Sequence, residues 1–198
     1  MKRIYVFFLL CIVGTCSIAQ NADIDILKNI NLNRNKNMDN TFIIISQSIT
    51  PVSIGAPLGI YCVGLIKHDS ALKNKGLYVG ASLLISCSIT FGLKYAVNRP
   101  RPFVTYPFID KVMDAGSPSF PSGHTSDAFA TATSLSLAFP KWYIIAPSFL
   151  WAGAVGYSRM DLGVHYPSDV MAGAIIGAGT SYLCYKANRW LHTRKHSN

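Results

Sequence analysis

The sequence has few charged residues and no glutamate. Only 14% of the residues are charged, against about 25% in an average soluble domain, and 50% are hydrophobic. All 9 acidic residues are aspartates, and 18 lysines and arginines give a net charge of +9. This composition favours a protein associated with lipid, with anionic partners such as phosphate groups or membrane lipids.

Patterns typical of nucleic-acid binding, disulfide scaffolds and zinc sites are also missing. The cations lie in short motifs and connectors rather than in a run interleaved with exposed aromatic residues, so we expect no nucleic-acid partner. The 5 cysteines all lie in apolar stretches, and no pair has metal-ligand spacing. We therefore expect neither a disulfide framework nor a zinc site.

The first residues resemble an export signal. Residues 1–19 carry Lys2 and Arg3 near the start, an apolar stretch from Ile4 to Val13, and the small residues Ser17 and Ala19 at the end. This pattern predicts a secretory signal peptide cleaved after Ala19, with an uncleaved signal anchor or lipidation at Cys16 as alternatives.

Residues 20–42 are rich in Asn and Asp but carry apolar residues at close to helical spacing. This spacing predicts a short amphipathic helix at the membrane surface, and a loosely ordered polar linker is the alternative. The apolar residues are Ile24, Ile26, Leu27, Ile30 and Leu32.

Five apolar stretches follow, at residues 43–66, 76–97, 125–139, 142–157 and 169–185. The first two reach about 20 residues, enough to cross a bilayer as helices. The other three are shorter and rich in Gly, Ala and Ser, which permit close helix packing in lipid. The predicted fold is all-α, a membrane-embedded bundle of five core transmembrane helices at 43–187 with a basic cytoplasmic tail at 188–198. A soluble helical bundle is the alternative.

Alternate crossing of these helices predicts a shared polar face. The second and fourth helices would end, and the third and fifth would begin, on the same outer side of the membrane. The positive-inside rule does not settle the orientation, because the cations divide evenly between the two sides. The signal-like N terminus favours the periplasm or exterior for the polar face.

The first polar cluster consists of Lys94, Arg101 and Pro102. Lys94 and Arg101 are about two helical turns apart, although Pro100 and Pro102 predict that the helix ends before Arg101. A guanidinium binds phosphate oxygens through a planar fork of donors, and a lysine acts as a movable point charge. A basic patch at a helix end is also typical of a solvated or lipid-facing edge.

The second cluster, Pro121-Ser122-Gly123-His124, predicts a helix start with Ser122 as its cap. Free amides at a helix N terminus bind anions, and Gly123 permits close backbone approach. His124 would lie beside a bound phosphate, in position to protonate a departing alkoxide. A simple capped turn is the alternative.

The third cluster runs from Ser158 and Arg159 to Asp169. Pro167 and Ser168 predict the start of the last helix, with His165 just before it and Asp169 in its first turn. The carboxylate can then hold one imidazole nitrogen and leave the other as a nucleophile. A structural hydrogen bond is the alternative for this pair.

The three clusters together resemble the signature of the type 2 phosphatidic acid phosphatase family, which includes bacterial acid phosphatases and vanadium haloperoxidases. Every position of the signature is filled by Lys94-x6-Arg101-Pro102, Pro121-Ser122-Gly123-His124 and Ser158-Arg159-x5-His165-x3-Asp169.

The resemblance implies a helical bundle without a metal ion or other cofactor. It implies that His165 is the nucleophile that becomes phosphorylated, Asp169 its orienting partner and His124 the proton donor. It also implies that phosphate is bound by Lys94, Arg101, Ser122, Gly123 and Arg159.

The predicted function is metal-independent hydrolysis of lipid phosphates or diphosphates at the outer face of the inner (cell) membrane. The resemblance admits polyprenyl diphosphates, phosphatidic acid, phosphatidylglycerol phosphate and lipid A phosphates as substrates. The alternatives are a soluble exported acid phosphatase of broad specificity, a vanadate-dependent haloperoxidase and a non-catalytic membrane protein.

Overall fold

The computed structural model describes residues 22–195, with side chains up to residue 190, and this part of the chain is all-helical, as predicted. Helix α1 covers residues 22–32. A 3-10 turn at Lys36–Met38 leads to α2 (Asp39–Gln47), α3 (Ile49–Ile66), α4 (Ser70–Val97), α5 (Pro102–Thr105), α6 (Gly123–Ala138), α7 (Trp142–Asp161) and α8 (Pro167–Lys195). The predicted signal segment, residues 1–19, lies outside the described residues.

Local sequence explains where the helices that frame the polar face begin and end. Asp69 caps α4 by accepting hydrogen bonds from the amides of Ala71 and Leu72. Asn98 ends α4 in the left-handed conformation, with φ of 48°. The predicted cap of α6 is confirmed, because the Ser122 side chain accepts from the amide of Thr125.

The five predicted apolar stretches lie within α2–α3, α4, α6, α7 and α8, allowing one residue at their ends, with two differences. The first stretch is interrupted at Ser48, because Pro51 has no N–H to donate to the carbonyl of Gln47. The last helix continues to Lys195, so most of the predicted tail extends α8.

Helix α6 lies at the centre of the bundle and packs against α4, α7 and α8. Its buried face carries small residues, including Ala128, Ala130 and Ala132, none of which is exposed. Glycines on α8 let this helix pack closely against α6. A Cβ on Gly173 of α8 would lie only 2.6 Å from the carbonyl oxygen of Ser122 at the start of α6. The starts of α6 and α8 are thereby held side by side.

Among the described residues, two segments are long and apolar enough to cross a membrane, Lys36–Ile66 and Ser70–Thr105, each with a mean hydropathy of 1.7 over its most apolar 18 residues. The buried core helix of a soluble protein can be equally long and apolar. In these two segments, however, only 22% and 33% of the most apolar 18 residues are buried. Leu58, Leu84 and Phe91 are among the large apolar side chains exposed on these helices. An apolar surface of this kind indicates contact with lipid or another apolar partner. Crossing by α6, α7 and α8 remains a prediction.

Candidate active site

The end of α4, the start of α6, the end of α7 and the start of α8 meet around one cavity of about 220 Å³. Six of the eight predicted site residues line it: Lys94, Arg101, Gly123, His124, Arg159 and His165. The segment 113–117 closes another side of the cavity. Sequence clusters that are far apart in the chain thus surround a single space.

Two of the cavity's cations are buried and held by backbone carbonyl groups. The Nζ of Lys94 donates to the carbonyl oxygen of Pro118 at 2.7 Å. Arg101 donates from Nε to the carbonyl of Ser117 at 2.8 Å and from Nη1 to that of Val164 at 2.7 Å. Neutral carbonyls do not cancel these positive charges, and Asp114 on the cavity wall is paired with Lys111 at 2.6 Å, so the cavity favours an anion.

Arg159 is the most deeply buried cation of the cavity, with 2% of its surface exposed. Its Nη1 donates to the hydroxyl of Ser46 and lies 3.2 Å from the sulfur of Met113. Its Nε has no hydrogen-bond partner among the described residues. A buried donor left unpaired is costly, and an oxygen atom of a bound anion would satisfy it.

His165 and Asp169 lie next to the cavity as a buried pair. The Nδ1 of His165 is 3.5 Å from Oδ2 of Asp169, and neither residue is more than 2% exposed. The opposite nitrogen, Nε2, is 3.3 Å from Nη1 of Arg101. Nδ1 therefore faces the carboxylate and Nε2 faces Arg101, an arrangement that suits an imidazole protonated on Nδ1 with its lone pair on Nε2.

The surroundings of His165 keep the imidazole neutral. Burial lowers the pKa of His165 to about 3; the hydrogen bond to Asp169 opposes this effect, and the charges of Arg159 and Arg101 add to it. A neutral imidazole is the form that acts as a nucleophile.

Asp169 is held by three groups that sequence reasoning did not identify. Ser119 donates from its hydroxyl to Oδ2 at 2.5 Å, and the amide of Tyr166 donates to the same oxygen at 3.0 Å. Arg99 donates from Nη1 to Oδ1 at 2.7 Å. Oδ1 of Asp169 therefore accepts from Arg99, and Oδ2 faces His165.

Arg99 has a second carboxylate partner in α1. Its Nη2 donates to Oδ2 of Asp23 at 2.7 Å, and its guanidinium carbon lies 3.8 Å from the centre of the Tyr166 ring. Asp23 also accepts hydrogen bonds from the amide and hydroxyl of Ser168. Neither Asp23 nor Ser119 belongs to a recognisable motif, and Arg99 resembles an ordinary loop cation beside Arg101.

Two predicted site residues lie behind the cavity rather than on its wall. Asp169 contacts the site through His165. The hydroxyl of Ser122 accepts from Thr125 Oγ1 at 2.9 Å, and its amide donates to the carbonyl oxygen of Asp169 at 3.0 Å. Ser122 therefore joins the start of α6 to the start of α8, while Gly123 and His124 line the space itself.

Helix α1 packs its apolar face on the protein. Ile24 and Leu27 are buried against Ile109 and Tyr166, whereas Ile26 and Leu32 are 50% and 40% exposed. The predicted helix is thus present, and contact of its exposed side with a membrane remains a prediction.

The family model of the PAP2 superfamily matches residues 75–192, which is more than half of the chain and includes every predicted site residue. The chain belongs to the PAP2 superfamily. The PAP2 match begins inside α4, so α1 with Asp23 lies outside it.

Curated PAP2 relatives include an undecaprenyl-diphosphatase of Sulfolobus acidocaldarius, 38% identical over 53% of this chain and 53% of that protein. A lipid A 4'-phosphatase of Bacteroides thetaiotaomicron is 36% identical over 44% of this chain and 39% of that protein. The chain spans about half the length of the curated relatives it matches.

Two solved PAP2 structures share the fold. The crystal structure of Aquifex aeolicus LpxE superposes with a TM-score of 0.70 and 28% identity, covering 83% of this chain and 95% of that one. A transmembrane PAP2-type phosphatidylglycerolphosphate phosphatase from Bacillus subtilis superposes with a TM-score of 0.75 at 22% identity, over 92% of this chain and 94% of that one. The second likeness shows the fold alone.

Proposed function

We propose that this protein is a membrane-bound phosphatase that hydrolyses lipid phosphates or diphosphates through a phosphohistidine at His165. The observation that carries the proposal is the single cavity in which a buried, neutral His165 faces three cations and a second histidine. Phosphoryl transfer is catalysed mainly by positioning and by stabilising charge on the phosphate oxygens, and these residues are suited to both.

In the first half-reaction, Lys94, Arg101 and Arg159 hold the non-bridging oxygens of the phosphate. The Nε2 lone pair of His165 attacks phosphorus, and the bond from phosphorus to the leaving oxygen breaks. His124, protonated beside the bound anion, gives its proton to that oxygen. Asp169 accepts the hydrogen bond from Nδ1 and stabilises the positive charge that develops on the ring.

In the second half-reaction, a water molecule takes the place of the leaving group. His124, now neutral, accepts a proton from the water as its oxygen attacks phosphorus. The bond from Nε2 to phosphorus breaks, which releases inorganic phosphate and returns His165 to its neutral state.

In this mechanism the negative charge of the phosphate is stabilised by the side chains of Lys94, Arg101 and Arg159. Within residues 22–190 there is no group of three His, Cys, Asp or Glu side chains that could hold a metal ion. The cations of the cavity would also repel a divalent metal ion. We therefore propose that the reaction needs no metal ion or other cofactor.

Exposed apolar side chains support a membrane location over a soluble exported enzyme. They lie on α3 and α4 and also on α7 and α8, where Leu150, Ile175 and Leu183 are 74%, 65% and 67% exposed. We propose that all five long helices cross the cell membrane and that the cavity faces outward. The orientation is supported by the export-signal pattern of residues 1–19.

The names of the relatives support an amphiphilic substrate. The two curated relatives described above act, as their names state, on undecaprenyl diphosphate and on the 4'-phosphate of lipid A. A phosphate or diphosphate on a long apolar chain would place its head group in the cavity and its tail among the apolar faces of the helices. We propose this class of substrate for the chain.

The test is phosphate release by the purified detergent-solubilised protein from a panel of a polyprenyl diphosphate, phosphatidic acid, phosphatidylglycerol phosphate and lipid A, with a metal chelator present. We expect release from at least one lipid, near-total loss in His165→Ala, and full activity in His68→Asn, which alters an exposed histidine at the turn before α4.

Two results would count against the proposal. Activity abolished by the chelator would contradict a metal-free site. Undiminished release by His165→Ala would remove the nucleophile from the mechanism.

A further inference from the structure

We infer that Asp23 is a positioning residue of the active site, which acts through Arg99 to hold Asp169 and thereby His165. This inference rests on the proposed function. It assigns a catalytic contribution to α1, a segment that precedes the family match by about fifty residues.

Three charged groups, Asp23, Arg99 and Asp169, connect α1 to the neutral imidazole of His165. Asp23 Oδ2 accepts from Arg99 Nη2 at 2.7 Å, Arg99 Nη1 donates to Asp169 Oδ1 at 2.7 Å, and Asp169 Oδ2 lies 3.5 Å from His165 Nδ1. Asp23 is 7% exposed and Asp169 is not exposed. Charge-assisted hydrogen bonds with little access to water are strong and directional.

Asp23 is also bound to the helix that carries Asp169. Its Oδ1 accepts from the backbone amide of Ser168 at 2.8 Å, and its Oδ2 accepts from the Ser168 hydroxyl at 2.5 Å. The carboxylate of α1 therefore caps the first turn of α8 from another part of the chain. It fixes Arg99 and the backbone next to Asp169 at the same time.

The charges explain why a second carboxylate is useful. Arg99 on its own would withdraw negative charge from Asp169 and weaken its support for the positive ring that forms when His165 attacks phosphorus. Asp23 offsets part of the charge of Arg99. Asp169 can then keep Oδ1 fixed by the arginine while Oδ2 still supports His165.

The substitution Asp23→Asn separates these effects. The asparagine oxygen can still accept from the amide of Ser168, so the cap on α8 is retained. Its amide group, however, presents hydrogens to Arg99 instead of a charge. Asp25→Asn is the matched control, because Asp25 is exposed on the same helix and loses the same charge.

We expect Asp23→Asn to lower kcat about tenfold, because residues in one charged network are energetically coupled. KM should change less than about twofold. Asp25→Asn should match the wild type. Because Asp23 acts through Arg99, adding Asp23→Asn to Arg99→Gln should cause little further loss. A loss equal to the product of the two single effects would overturn the inference.

Leu27→Ala tests whether weaker packing of α1 by itself lowers activity. Leu27 is fully buried on the same helix, and its substitution leaves the Asp23 carboxylate unchanged. We expect it to lower the Tm but to keep kcat within about twofold of the wild type, measured below the transition. If Leu27→Ala and Asp23→Asn lose kcat in proportion to their loss of Tm, the role of Asp23 is only structural.

The same assays separate failure of this inference from failure of the proposed function. An active wild type, an inactive His165→Ala and a fully active Asp23→Asn would contradict the role of Asp23 alone. A wild type that releases no phosphate from any lipid would contradict the proposed function.

Discussion

A Cβ atom on Gly177 of α8 would lie 2.1 Å from the backbone carbonyl oxygen of Ser126 in α6. Only a glycine lets the two helices approach this closely, because backbone atoms cannot move aside as a side chain can. The approach places the first turns of α6 and α8 together, where the amide of Ser122 donates to the carbonyl oxygen of Asp169. Because His124 lies in the first turn of α6 and His165 just before α8, we expect a change in the distance between these helices to change the spacing of the two histidines.

We therefore predict that Gly177→Ala pushes α8 away from α6, lowers stability by about 1–3 kcal/mol and reduces activity. Gly179→Ala is the control, because a Cβ there would have no atom within 4 Å apart from the neighbouring backbone of its own helix, and alanine favours the helix. Thermal unfolding in detergent and phosphate release would be measured for both. If the two variants had equal Tm values and equal activities, the close approach of α6 and α8 would not contribute to stability or catalysis.

Ser119 offers a test of how Asp169 is held. Its buried hydroxyl donates to Asp169 Oδ2 at 2.5 Å, and its amide donates to the carbonyl oxygen of Arg99 at 2.8 Å. A hydrogen bond to a charged group contributes about 1.5–3 kcal/mol, so we predict that Ser119→Ala lowers kcat about tenfold or more. KM should change little, because Ser119 does not line the cavity.

Steady-state kinetics of Ser119→Ala would be compared with Ser88→Ala, which removes an exposed hydroxyl from α4. The role given to Ser119 would be refuted by a variant that raises KM and leaves kcat unchanged.

The buried His165 predicts how stability depends on pH. Its pKa falls from the ordinary value of 6.5 to about 3 in the folded protein. Between these values the unfolded chain binds a proton at this residue and the folded protein does not, so stability decreases as the pH falls from 6.5 toward 3. Replacing His165 with glutamine removes this contribution.

We therefore predict that the Tm of the wild type declines more steeply than that of His165→Gln between pH 6.5 and pH 4.5. The slopes are compared, rather than the Tm values, because the substitution itself changes stability. Parallel slopes would mean that His165 titrates at an ordinary pKa in the folded protein.

The local polar clusters could be predicted from the sequence because each has a distinct chemical pattern. Ser122 is a helix cap, as its position before an apolar run indicates. The alternation of the apolar stretches placed Lys94, His124 and Arg159 on one side of the bundle, and they line one cavity.

The residues that hold the site from behind were not predictable in this way. Asp23 and Ser168 are 145 residues apart and meet only because α1 folds back under the start of α8. Arg99 lies two residues before Arg101, but its contacts point away from the cavity toward Asp23 and Asp169. Such contacts depend on tertiary packing, for which a single sequence has no local pattern.

The covalent intermediate is the most direct test of the account. Purified protein would be mixed with radiolabelled p-nitrophenyl phosphate, whose leaving group needs no proton, and quenched at short times in alkali. We predict a label that is stable in alkali and labile in acid, located by peptide mapping at His165 and absent from His165→Ala. His124→Ala should accumulate more label, because attack by water then has no base. A label on another residue, or equal labelling of His165→Ala, would contradict a phosphohistidine mechanism at this site.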